Sequence, residues 1–183
     1  MKNKTILAII ACLLVFIQSC EKDTPYLITE DSVGLLLKSS KVSELETLFP
    51  NDSIVKDTTN LDIGAISSKK IEVFEKGGKH LLTLTPSTDS IQTIENVRIL
   101  DKRYATNKGI GLQSTFGDIQ KQYTLKKIVT TLNSIVLFPK ESNLYFTIDK
   151  EELPSNLRFS SSNIEAVQIP DEAKIKYLML GWE

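Results

Sequence analysis

The sequence predicts an α+β fold of two tandem units, each a short helix followed by about four antiparallel strands. Three observations carry that reading. Apolar residues recur in the same order in the two halves of the chain, some at one constant spacing. Each half holds one short stretch of helical periodicity. Each then continues as short apolar runs of strand character, broken by turn residues.

The recurrence sets the units. Val33, Gly34 and Leu35 return as Ile110, Gly111 and Leu112. Val42 to Leu45 return as Phe116 to Ile119, with Leu48-Phe49 matching Gln122-Tyr123, and Ile54-Val55 return as Ile128-Val129. Ile71, Phe74, Lys76 and Thr83 match Ile135, Phe138, Lys140 and Thr147 at one spacing. Ile94 to Ile99 resemble Ile164 to Ile169. A fixed period is how repeated architecture shows in a sequence. The units are expected at 30–106 and 107–183.

Within the second unit, Phe116, Ile119 and Tyr123 fall on one helical face. Thr115 with Asp118 forms a capping box: the hydroxyl meets a free amide at the helix start, and the acid reaches back. Val42, Leu45 and Phe49 repeat the spacing, with Ser40 as the candidate cap. Strands follow. Ile71–Phe74 and Leu81–Thr85 flank Lys76-Gly77-Gly78-Lys79, a hairpin signal because glycine accepts positive φ. Ser134–Phe138 and Leu144–Ile148 flank the turn at 139–143. Ile94–Ile99, Ile164–Ile169 and the apolar run Ile175–Trp182 are the remaining expected strands. Two layouts satisfy this pattern. Either each helix covers its own sheet, or the sheets join into one larger curved sheet with both helices behind it.

Composition adds exclusions. Of 183 residues, 41% are hydrophobic and 25% charged, the balance of a chain that folds rather than one that stays unfolded. The formal net charge is -1, with no basic stripe of the kind nucleic-acid binding needs. The two cysteines are Cys12 and Cys20, so nothing beyond residue 20 supplies a thiol for a disulfide, a metal or a nucleophile.

Both cysteines belong to the N-terminal segment. Lys2 and Lys4 precede an apolar run from Ile6 to Ile17. That run is shorter than the roughly 20 residues that cross a bilayer, so it targets rather than spans. It ends in Ile17-Gln18-Ser19-Cys20, which resembles the bacterial lipobox, with Gln18 where a small residue is usual. The resemblance implies a signal peptide at 1–19, lipid on Cys20 and a lipidated tether at 20–29. Glu21, Lys22 and Asp23 follow, a charged start that resembles the surface-export signals of Bacteroidetes lipoproteins. The implied location is the cell envelope, at the periplasmic or surface face of the outer membrane. The body also resembles Bacteroidetes lipoproteins that end in a Gly-Trp strand, here Gly181-Trp182. The segment from Gly109 to Tyr123 is similar to the start of the helix-plus-sheet unit in beta-lactamase inhibitor proteins and in small outer-membrane assembly lipoproteins. The former use a concave tandem-repeat sheet to bind protein. Their disulfides have no counterpart here.

Candidates for chemistry are few. His80 is the only histidine, and its aligned position is Leu144. One histidine without cysteine cannot make a zinc site, and no paired nucleophile signature accompanies it. Asp149-Lys150-Glu151-Glu152 and Asp171-Glu172 could serve glycan hydrolysis only if they gathered in one cleft. Asp52, Asp57 and Asp62 lack a calcium-loop pattern. Gly109 and Gly111 lack the rest of a phosphate loop and are read as turn residues. Tyr145, Phe146 and Trp182 are read as core or strand-pairing residues. No catalytic residue, metal or cofactor is expected. The expected role is a non-catalytic module that binds or scaffolds another envelope protein. The alternative is an envelope receptor or hydrolase acting on glycan or lipid.

Overall fold

Sixty-four residues separate two hairpins whose strands pair in the same register. Ile71 faces Leu84, Glu72 faces Thr83 and Val73 faces Leu82; farther along, Ile135 faces Ile148, Val136 faces Thr147 and Leu137 faces Phe146. These pairs come from a computed structural model of the chain, which describes residues 25–56 and 69–182. The fold is α+β: two short helices, a four-stranded mixed sheet and an eight-stranded antiparallel sheet, neither closed.

The large sheet holds β4 (Ser53–Lys56), β5 (Ile71–Phe74), β6 (His80–Pro86), β7 (Ile94–Ile99), β9 (Leu125–Thr130), β10 (Ser134–Pro139), β11 (Leu144–Asp149) and β12 (Ile175–Gly181). Its order is β4-β5-β6-β7-β12-β11-β10-β9, so two four-stranded meanders meet at the β7–β12 pair. Leu178 faces Ile99 there, and Leu180 faces Val97. Of the two layouts the sequence allows, the strands adopt the joined one.

The helices are α1 (Leu45–Leu48), led by a 3-10 turn at Val42–Glu44, and α2 (Phe116–Gln122). Each is pinned at its start to the entrance of a central strand. The amide of Val42 donates to the Gln92 carbonyl at 2.9 Å, and that of Phe116 to the Ala173 carbonyl at 2.8 Å. Helix-start amides have no partner inside the helix, so these carbonyls satisfy them. Thr115 and Asp118 form the expected capping box of α2. Ser40 is not the cap of the first helix. Lys41 holds that position, its amide bonded to Glu44, while the Ser40 hydroxyl accepts from Leu37. Ser40 lies one residue too early to reach the free helical amides.

A second correction concerns Ile164–Ile169. This segment is no strand. It contains a 3-10 turn at Ala166–Gln168, closed by Gln168 N to Glu165 O at 3.0 Å and by the Gln168 side chain on the Glu165 amide. Val167 is 90% exposed, and only Ile164 and Ile169, five residues apart, are buried. That spacing fits neither face of a strand. The place opposite β11 belongs to β12, whose buried residues alternate over Leu178 and Leu180.

The small sheet has the order β3 (Leu36–Leu37), β2 (Ser32–Val33), β1 (Leu27–Ile28), β8 (Ala105–Thr106), with β1 and β8 parallel. Two-residue strands carry no periodicity, and the sequence does not announce them. One face of the large sheet presents Val73, Leu82, Leu84, Val97, Leu137 and Phe146, all with no exposed surface or nearly none. They form one cluster with Val33 and Leu36 of the small sheet, and with Leu45, Phe116 and Ile119 of the helices. The opposite face is part-exposed along β5, β10 and β12. A sheet with one face packed and one wet is the usual antiparallel arrangement.

Candidate functional site

The open face is built by strand alternation. With Val97 and Ile99 turned inward, Asn96 and Arg98 of β7 point out; with Leu178 and Leu180 inward, Tyr177 and Met179 of β12 point out. Arg98 stands opposite Met179 in register, and its guanidinium carbon lies 3.9 Å from the centre of the Tyr177 ring. Asn96 donates to the Tyr145 hydroxyl from the neighbouring side. Tyr145 stacks on Phe138 at 5.8 Å. Toward the first hairpin, Phe74 and His80 stack at 4.3 Å. The middle of the sheet thus carries aromatic rings, one amide, one thioether and one cation. Arg98 makes no salt bridge among the described residues, and its buried Nε has no hydrogen-bond partner there.

His80 belongs to this face. Its Nε2 lies 2.7 Å from Glu72 Oε2, and the same oxygen accepts the Thr83 hydroxyl at 2.6 Å. The carboxylate sits between the imidazole and the hydroxyl. A nucleophile activated by histidine needs the opposite order, with imidazole in the middle.

The acidic run ends β11 and surrounds an open cavity of about 870 Å³ lined by Leu132, Asn133, Asp149, Lys150, Glu151, Glu152, Arg158, Phe159 and Lys176. Asp149 caps the 3-10 turn Lys150–Glu152 through the Glu151 amide, and it is paired with Lys176. The hydrogen bond from Lys176 holds its carboxyl below the ordinary range. Buried Lys150 donates to the carbonyls of Leu132 (3.2 Å) and Ser160 (2.7 Å), tying two loops together. Glu152 accepts the Lys174 amide at 3.1 Å. Asp171 and Glu172 do not line this cavity. The Asp171 carbonyl accepts the Gly117 amide at 2.8 Å, and its side chain packs against the start of α2, where a Cβ on residue 117 would come within 3.0 Å. The two acidic clusters therefore do not converge.

A third cluster is structural. Asp101 is fully buried and receives the Arg103 amide at 2.8 Å, the Arg103 Nη2 at 2.7 Å and Lys79 Nζ at 2.9 Å. Arg103 also reaches Glu75 at 2.8 Å and stacks on Tyr26. Burial alone would push the Asp101 carboxyl up, but the bonds from Arg103 and Lys79 outweigh it and hold the group far below the usual carboxylate range. The unfolded chain, with an ordinary aspartate near 3.9, then takes up the proton first as pH falls. The stabilisation is complete above about pH 5 and is lost progressively below it. Urea unfolding at pH 7, 5 and 3 should show stability falling over the acid range in the parent, with a shallower fall in Asp101→Asn.

Among the described residues, no group of three or more His, Cys, Asp or Glu side chains is gathered to hold a metal ion. Among them too, no helix is long and apolar enough to cross a membrane. Asp52 lies in the turn after α1, where its amide donates to Phe49 O at 3.1 Å. Cys20, Asp57 and Asp62 lie outside the described residues. Gly109 has φ +77 in its turn, and Gly111 is bridged to Ala105, where a Cβ would come within 2.6 Å of the Tyr104 carbonyl oxygen. Phe146 and Trp182 are buried, whereas Tyr145 faces the open side.

No family model matches the chain, and no curated protein matches it. Among solved structures, the fold is similar to that of the uncharacterized protein yfeY from Escherichia coli, at 12% identity and a TM-score of 0.52. The match covers 84% of this chain and 98% of that one.

Proposed function

We propose that the chain is a lipid-anchored cell-envelope protein, without a catalytic role of its own, that binds another envelope protein on the open face of its eight-stranded sheet. The centre of that face carries the reading: Arg98 lies on Tyr177 with no acidic partner among the described residues, flanked by Tyr145, Met179 and Phe138. Arginine and tyrosine at the middle of a patch are the residues that dominate binding energy in protein interfaces. A carboxylate from a partner would meet the unpaired guanidinium. The N-terminal pattern ending at Cys20 supports the envelope location, with the outer membrane as the site of anchoring. The matched hairpin registers and the two helix starts held by corresponding carbonyls support a body of two tandem units, 30–106 and 107–183.

Mild crosslinking in cells, with purification through a C-terminal tag and mass spectrometry, tests the reading. One dominant envelope partner is expected, and Arg98→Glu should cut its yield about tenfold or more, as loss of a central anchor does. An unchanged yield with the variant overturns the assignment of the face. A second reading, an envelope receptor or hydrolase acting on glycan or lipid, is favoured by the cavity around Glu151 and Glu152. It predicts instead a glycan or lipid carried repeatably through purification.

A further inference from the structure

We infer that the surface around the point where the chain enters the domain, with Leu35 at its centre, lies against a lipid bilayer. The inference rests on the reading of Cys20 as the lipidated residue. Only Glu21 to Thr24 separate Cys20 from Pro25. The five steps from Cys20 to Pro25 span at most about 18 Å when fully extended. Whatever surrounds Pro25 is therefore kept within about 18 Å of the lipidated residue.

Pro25 has a fixed place. Its carbonyl oxygen is packed on Gly34, where a Cβ would come within 2.2 Å and φ is +56°, so a residue without a side chain is required there. Tyr26 is fixed as well. Its hydroxyl donates to Glu75 at 3.3 Å, and its ring meets Tyr104 edge-on at 5.1 Å and lies under Arg103 at 4.3 Å. The next residue after Gly34 is Leu35, in the turn between β2 and β3, and it is 51% exposed. Leu37, at the end of β3, is equally exposed. Lys76 and Lys102 are exposed beside the cluster of Glu75, Lys79, Asp101 and Arg103, whose two acids and two bases balance. Exposed leucines at the foot of a short lipid tether, with exposed lysines beside the cluster that holds Tyr26, suit the boundary between headgroups and acyl chains. The tether carries Glu21 and Asp23 beside Lys22; farther along the chain, Asp31 is exposed, and the carboxylate of Glu30 is held by Ser142 and Asn143.

The test uses the lipidated protein. Beyond Cys20 the chain has no cysteine, so a single thiol can be placed without background. Leu35→Cys, labelled with a polarity-sensitive fluorophore, is reconstituted into phosphatidylethanolamine–phosphatidylglycerol vesicles containing a nitroxide-bearing lipid. Ile91→Cys is the comparison. It is more exposed, at 67%, and sits on the β6–β7 turn. The length of β6, about 20 Å, separates that turn from the β5–β6 turn beside Tyr26, at the other end of the sheet. The expected result is a blue-shifted label at 35, quenched several-fold more than at 91. Equal or weaker quenching at 35, with the protein still floating on the vesicles, overturns the inference and leaves the anchor standing. Protein that does not float overturns the lipid-anchor reading, and this inference with it.

Discussion

Replacing Cys20 with serine is expected to move the protein from washed membranes to the soluble fraction, with the domain still folded. The size of the effect follows from where membrane affinity can come from. Among the described residues no helix spans a bilayer, and Leu35 with Leu37 form a patch too small to hold the protein alone. Each buried acyl CH₂ contributes about 0.8 kcal/mol, so loss of two or more chains should lower the bound fraction by roughly a hundredfold or more. Fractionation of cells carrying the variant, with a carbonate wash, checks this. Near-ultraviolet circular dichroism of the soluble variant checks that the domain keeps its packing. If the Cys20→Ser variant stayed in the washed membranes, attachment through lipid alone would be refuted.

Two phenylalanines on neighbouring strands should respond very differently to truncation. Phe146 on β11 is fully buried on the covered face, packed near Tyr123 at 6.1 Å between ring centres. Phe146→Ala leaves a cavity in the core cluster beside Tyr123, and should cost about 3–5 kcal/mol of stability. Phe138 on β10 is half-buried on the open face, stacked on Tyr145. Phe138→Ala removes one ring contact next to solvent and should cost about 1 kcal/mol. Urea melts of the two variants measure the difference. Similar losses at both sites would mean that the open face is packed after all, and would remove the ground for partner binding there. The pair thus tests the face by stability, independently of any partner.

How much of the fold is legible in the sequence depends on the range of the interaction. The α2 start can be read because Thr115 and Asp118 are three residues apart and satisfy local amides. The first hairpin can be read because Gly77 and Gly78 accept the positive φ its turn requires, at +112 and +91. The constant spacing from Ile71 and Thr83 to Ile135 and Thr147 reappears as matched pairing within two hairpins. Ile164–Ile169 has the residue types of a strand and still forms a turn. The Gln168 side chain on the Glu165 amide and the bond from the Ile164 amide to Thr130 across the fold decide it.

The candidate face is not legible at all. Arg98 and Tyr177 are far apart in sequence, and each has the character of an ordinary outward residue of a strand. No signal in either segment says that β7 and β12 pair, which is what brings the guanidinium onto the ring. Asp101 is a mixed case: Arg103 binds it from two residues away in the chain, whereas Lys79 becomes its partner only because β6 and β7 lie side by side. Local chain geometry was enough to set the helix start, the hairpin turns and the alternation that gives each strand an inner and an outer face, and all of these can be read from residues close together in the chain. Tertiary contacts alone set the joined sheet, the parallel β1–β8 pair and the contents of the open face. Those depend on which distant strands exclude water together, and burial of that kind has no local code.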